Sequence, residues 1–219
     1  MKRYDQFLEL ARSRRSVRRF ARRPVSRDDL ARLFDAARWA PSNHNRQPWR
    51  FLVLKDEERI RRLAQAVSEG LTVKLKALPA MASGYVGELA HYATLFTHAP
   101  VVILALHKRP ISVSAALLEG LPHPTLVSGE PLSVAMAVQN LVLAAKALGL
   151  GTCVMTAPLV AQDAVAACLD LPAGFDTTCF VAVGYPGESP EPPRRKSLEQ
   201  IVEFRNNQEG SGRKHDDGE

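Results

Sequence analysis

The chain has 219 residues, 46% hydrophobic and 24% charged, a balance that fits one domain with a sizeable core. No run approaches the roughly 20 apolar residues of a membrane span. The opening from Met1 to Leu10 carries acids and lacks the long apolar stretch of a signal peptide, so a cytoplasmic protein without a membrane partner is expected. The net charge of +6 is concentrated at the front, in Arg12, Arg14, Arg15, Arg18, Arg19, Arg22, Arg23 and Arg27. Such a front can meet nucleic acid, a membrane surface or a phosphorylated small molecule, and charge alone does not choose among them.

Tyr4, Phe7, Leu8 and Ala11 repeat at helical spacing and predict a first amphipathic helix ending near Ser13. Ser26 and Asp29 form a variant capping box ahead of the apolar face Leu30, Leu33, Phe34 and Ala37. That helix must stop before Pro41. Phe51 to Leu54 reads as a short buried strand, and Asp56 as the cap of a third helix with Ile60, Leu63, Ala64 and Val67 inward. Leu89, Tyr92, Ala93 and Phe96 predict a further helix, and Val101 to Leu106 a strand covered on both faces. From His107 to Glu130 the pattern dissolves into a long loop. Pro131 then opens what reads as the longest helix, apolar or small nearly all round and closed by Gly149, hence central and buried. A strand at Thr152 to Met155, a helix from Pro158 to Leu169, a buried strand from Thr177 to Val183 and a short helix from Leu198 to Phe204 complete the reading. Residues 1–205 are expected to form one domain with mixed helices and strands, and residues 206–219 a disordered tail.

Cys153, Cys168 and Cys179 are odd in number and sit in apolar segments, which argues for reduced core thiols rather than disulfides or a zinc site. Gly149-Leu150-Gly151 lacks a third glycine and follows a helix, so it is no dinucleotide turn. Walker, Gly-x-Ser-x-Gly and His-Glu-x-x-His motifs are absent from the sequence, and the histidines are scattered. Side chains that would do the chemistry by themselves are not evident, which shifts weight toward a cofactor.

Two segments stand out. In Arg14-Arg15-Ser16-Val17-Arg18-Arg19-Phe20, extended alternation sends Arg14, Ser16 and Arg18 to one side. Two guanidinium forks and a hydroxyl there suit an oxyanion, and a basic loop in water fits the spacing equally well. In Pro41-Ser42-Asn43-His44-Asn45-Arg46-Gln47-Pro48-Trp49, two prolines stiffen a polar stretch ahead of a strand. That is either a ligand-facing segment or an ordinary turn anchored by Trp49.

These segments, with the later Gly149-Leu150-Gly151-Thr152-Cys153, Gly184-Tyr185-Pro186 and the basic cluster Arg194 to Lys196, resemble the FMN-dependent nitroreductase family from about Phe7 to Val202. The resemblance implies an α+β fold, a central mixed β-sheet flanked by helices, in an intertwined homodimer with FMN at the interface. It implies that Arg14, Arg15, Ser16 and Arg18 hold FMN from one subunit, Arg14 and Ser16 at the phosphate and Arg18 at the pyrimidine edge. Pro41, Ser42, Asn43 and Asn45 would reach the same flavin from the other subunit, and Arg194 and Lys196 would close over the phosphate. Met155, Thr156 and Ala157 would lie beside the flavin N5, offering a backbone N–H. The implied activity is hydride transfer from NADPH or NADH to nitroaromatic, quinone or related conjugated acceptors in a ping-pong cycle, with no catalytic side chain and no metal.

The sequence departs from that family in three places. Thr156-Ala157 stands where many members have Gly-Gly, Lys74 and Lys76 are as suited to a solvated helix face as to a flavin contact, and Pro79 to Glu130 follows no family pattern. Within the same fold the alternatives are a flavin-consuming dimethylbenzimidazole synthase-like enzyme and a reductive dehalogenase. Outside it stand a basic nucleic-acid-binding protein and a flavin-binding protein without catalysis.

Overall fold

Most of the predicted apolar stripes meet one of the two faces of a four-stranded sheet, whereas Tyr4 and Phe7 of the first stay exposed. The structure, a computed structural model, describes residues 2–76, 83–109 and 129–205. The middle of the expected loop before Glu130 and the tail from 206 lie outside the described residues. Helices α1 (Arg3–Ser13), α2 (Arg27–Ala37), α3 (Glu57–Lys76), α4 (Ser83–Thr94), α5 (Glu130–Ala147) and α6 (Gln162–Leu169) surround strands β1 (Trp49–Leu54), β2 (Val101–Lys108), β3 (Gly151–Met155) and β4 (Phe175–Gly184).

The strand order is β1-β2-β4-β3, antiparallel at each step. The sheet expected to be mixed therefore has one parallel pairing among the described residues, the isolated bridge Ser16–Thr152. There the segment after α1, here called the strap, lies along the free edge of β3. Alternation splits the core in two. Val102, Leu104, Leu106, Phe180 and Ala182 face α3, α4 and α6. Val101, Ile103, Cys179, Val181 and Val183 face α2 and α5. β2 is thus buried on both sides although its pairings are antiparallel, because a helical layer covers each face. Each such Val, Leu or Ile contributes about 1.5–3 kcal/mol.

Local chemistry sets most helix ends. Ser26 Oγ accepts from Asp29 N–H at 2.9 Å, and Asp56 Oδ1 from Arg59 N–H at 2.8 Å. Gly149 takes φ 74° just past α5, as a C-terminal glycine should. Five expectations need correction. Cys168, expected in the core with the other two thiols, is exposed. The helix expected from Pro158 to Leu169 is a 3-10 turn, Ala157–Ala161, followed by α6. The longest helix is α3, with 20 residues against 18 in α5. The expected helix at Leu198 to Phe204 is a single 3-10 turn, Leu198–Gln200. α5 is also not buried all round: Leu132, Ala135, Met136 and Gln139 form an exposed face, while Val134, Ala137, Val138 and Leu141 pack inward. Apolar composition marked it as covered without saying by what.

Candidate functional site

The strap is fixed by one buried side chain and one carboxylate. Val17 is 6% exposed and packs so closely on Gly151 that a Cβ there would stand 2.9 Å from three of its atoms. Val17 N–H donates to Thr152 O at 2.9 Å. The backbone N–H groups of Arg18 and Arg19 donate to Glu188 Oε1 at 2.6 and 3.1 Å. Those bonds, the Arg18 one first, hold the Glu188 carboxyl below its ordinary range. Further on, Phe20 lies against Gly184, and Gly187 N–H donates to Arg19 O at 2.9 Å.

With Val17 inward, alternation puts its neighbours Ser16 and Arg18 on the opposite edge of the strap. The Arg14 and Arg18 guanidinium groups have no carboxylate partner among the described residues. Two unpaired guanidinium groups and a hydroxyl on a fixed backbone fit a phosphate dianion. Arg15 behaves differently: its guanidinium donates to the carbonyls of Arg12 and Arg14 at 2.5 and 2.6 Å, tying off the end of α1. Arg14 and Arg15 also border a cavity of about 440 Å³ with Lys146, Gly149 and Glu188. Behind the strap, burial raises the Cys153 thiol pKa, with Arg18 and Arg14 pulling the other way.

The second segment, 41–47, is strained. His44, Asn45 and Gln47 have φ of 50°, 52° and 46°. Asparagine tolerates this region, whereas His44 and Gln47 cost about 1–3 kcal/mol each and must be held by their surroundings. Ser42 Oγ accepts from Gln47 N–H at 3.0 Å, and Asn43 N–H reaches Ser133 Oγ at 3.3 Å. Arg46 pairs at 3.5 Å with Glu130, which is buried and whose Oε2 has no hydrogen-bond partner among the described residues. Pro41, Asn43 and Asn45 are exposed and Ser42 is half-buried. Glu130, Ser133 and Glu188 were not singled out from sequence: their contacts span 84 to 170 positions and leave no local signal.

α5 separates the two segments. Asn43 sits at Ser133 in its first turn, and Arg14 shares a cavity with Lys146 in its last. At 1.5 Å per residue these lie about 20 Å apart, so one chain does not bring them to one ligand. Met155, Thr156 and Ala157 leave β3 into a 3-10 turn, with Met155 buried and Thr156 exposed. Arg194 and Lys196 are exposed in an extended stretch. Lys74 is 3.9 Å from Asp163 on α6.

Fold and site together define an α+β chain whose strap carries Arg14 and Arg18 without carboxylate partners among the described residues, along the free edge of β3. The nitroreductase family model matches residues 11–185, and the chain belongs to that family. It is 30% identical over 192 residues to the 5,6-dimethylbenzimidazole synthase of Rhodospirillum rubrum, covering 84% of each chain. It is also 30% identical over 204 residues to an NADH dehydrogenase of Thermus thermophilus, covering 89% of this chain and 94% of that one. The crystal structure of a BluB-like flavoprotein from Clostridium difficile 630 superposes with a TM-score of 0.78 at 25% identity, covering 94% of this chain and all of that one. No helix among the described residues is long and apolar enough to cross a membrane.

Proposed function

We propose that the protein is an FMN-dependent oxidoreductase that takes electrons from NADPH or NADH and passes them to a nitroaromatic, quinone or related conjugated acceptor. The observation that carries this reading is the unpaired edge of Arg14, Ser16 and Arg18 on a strap locked by Val17 and Glu188. When bound, FMN supplies the hydride chemistry. Arg14 and Ser16 hold its phosphate, with Arg194 and Lys196 closing from the C-terminal side. Arg18 sets a fixed positive charge where reduction builds negative charge, which favours the reduced form. The backbone N–H groups of Thr156 and Ala157, at the end of β3, would hydrogen-bond the flavin's reacting edge, and no side chain would act as acid or base.

The working form is a homodimer. The 20 Å between strap and 41–47 loop is spanned when Pro41, Ser42, Asn43 and Asn45 serve the flavin held by the other subunit's strap. Tyr4 and Phe7 on α1 are 67% and 56% exposed, and Leu132 and Met136 extend an apolar face along α5. A second copy covers both. The protein works in the cytoplasm, where nicotinamide nucleotides are available and its three free thiols stay reduced.

Anaerobic titration with NADPH, then NADH, tests the reading. Bleaching of a flavin band near ~450 nm is the expected result. A protein that stays colourless after FMN is added refutes it. Arg14→Ala should weaken FMN about 10- to 100-fold, from the roughly 1.5–3 kcal/mol of a charge-assisted bond. The likeness to the Rhodospirillum rubrum synthase favours one second reading, a flavin-consuming enzyme. Flavin fragments formed when the reduced protein meets oxygen would establish that reading. Multiple turnovers with an added acceptor and intact flavin would establish the first.

A further inference from the structure

Beyond the strap, a groove of about 930 Å³ opens between residues 19–25, the start of α3 and the turn at 97–100. Its lining includes neither Arg14, Ser16 nor Arg18, so nothing in the flavin reading uses it. We propose that this groove binds a phosphorylated small molecule carrying a flat ring, of the nucleoside diphosphate class.

The rim is basic. Arg19, Arg22, Arg23 and Lys55 line it, and Glu57 is its single carboxylate. Glu57 is already engaged by Arg61 at 3.3 Å. Arg19 and Arg22 have no carboxylate partner among the described residues. Arg23 is stacked 3.8 Å above the Tyr185 ring, whose hydroxyl is 3.4 Å from Asp29. That fixes the guanidinium plane without neutralising it. Lys55 Nζ donates to Val25 O at 3.1 Å, which ties the end of β1 to the strap and leaves two ammonium protons for a ligand.

The floor is apolar. Val25, Ile60 and Ala99 reach the groove from the closed core at 1%, 3% and 6% exposure. A flat ring on this floor with phosphates against the rim satisfies both chemistries. Backbone bonds hold the rim in place, Ala21 N–H to Tyr185 O at 2.9 Å and Arg23 N–H to Ala21 O at 2.8 Å, so little ordering cost falls on binding. Size favours a small molecule, since such pockets run about 300–1,000 Å³. A nucleic-acid strand would want successive aromatic platforms, and the groove lining offers one phenyl ring, Phe20, beside the imidazole of His98.

The test is calorimetric titration of the FMN-saturated protein with ADP, adenosine and a ~10-nucleotide DNA strand. Expected are saturable ADP binding, adenosine at least about tenfold weaker, and an ADP affinity reduced at least about tenfold in Arg22→Glu. Melting temperature and flavin absorbance of that variant should match the parent, since the exposed Arg22 side chain has no carboxylate or aromatic partner among the described residues. ADP binding equally well to the variant, or not at all to the parent, overturns the proposal. Tighter binding of the DNA strand than of ADP, falling steeply with salt, overturns it in favour of a nucleic-acid surface. Failure of the flavin reading would show separately, as a protein left colourless by FMN, with the ADP titration still readable.

Discussion

Gly151→Ala is the sharpest perturbation of the strap. The added methyl would lie 2.9 Å from Cβ, Cγ1 and Cγ2 of Val17, against about 3.5–4.0 Å for a relaxed carbon contact. Rotating Val17 does not relieve a clash that includes its own Cβ, so the strap backbone must retreat by roughly 0.5–1 Å. The retreat strains the 2.9 Å bond from Val17 N–H to Thr152 O and carries Arg14, Ser16 and Arg18 with it. Overpacking of this kind costs about 1–3 kcal/mol. Val17→Ala alone loses two buried methyl groups, about 1.6 kcal/mol before any cavity contribution. In the double variant two of the three close contacts, those to Cγ1 and Cγ2, are gone, and the one to the Cβ at position 17 remains, so relief is partial. The two costs should therefore fall short of their sum by about 1 kcal/mol or more. Urea unfolding at fixed protein concentration reads the stability terms, and fluorescence titration reads FMN affinity. FMN binding should weaken in Gly151→Ala and recover in part in the double variant. Strictly additive costs, or a Gly151→Ala protein that binds FMN like the parent, would refute the argument that this contact sets the strap.

Further expectations concern the dimer, the buried histidine and the strap's carboxylate. Leu132→Glu/Met136→Glu places two charges on the exposed apolar face of α5 and should weaken dimerisation at least about a hundredfold, with FMN lost in parallel; sedimentation and absorbance read both, and a dimer of parental affinity would count against that face. His107 Nδ1 lies 2.9 Å from Thr178 Oγ1, and burial lowers its pKa below 6.5 despite the opposing pull of Asp176. Its contribution is therefore complete above pH 6.5 and is lost as pH falls from there through the lowered value. Melting temperatures from pH 8 to about 5 should show that loss, and His107→Gln should remove it. Glu188 has a lowered pKa, so its hold on the strap is complete above about 4.5, its ordinary value, and fades as pH falls through the folded value. Glu188→Gln should speed FMN dissociation at neutral pH, as read by stopped-flow fluorescence, and an unchanged off-rate would exclude Glu188 as the strap's anchor.

What the sequence by itself determined was local. Leu30, Leu33 and Ala37 at helical spacing, Ser26 and Asp56 at caps, the unbroken apolar run from Val101 to Leu106 and Gly149 after α5 each act within a few residues. Short-range physics therefore marked these elements correctly. The inward Val17 between outward Ser16 and Arg18 also follows from local alternation, and the motifs pointed to the family that the comparison shows. The antiparallel order β1-β2-β4-β3 was not legible, because pairing depends on which edges meet after collapse. The covering of α5 was also hidden: the helix read as buried nearly all round, yet one chain leaves Leu132 and Met136 exposed. Tertiary structure alone decided that Glu188 grips the strap from 170 residues away and that Arg15 turns back onto α1. It likewise decided that the two polar segments lie at opposite ends of α5 and that Arg19, Arg22, Arg23 and Lys55 share one groove. Side-chain type sets what a residue can bind, but only the folded path of the chain sets which groups stand close enough to bind together.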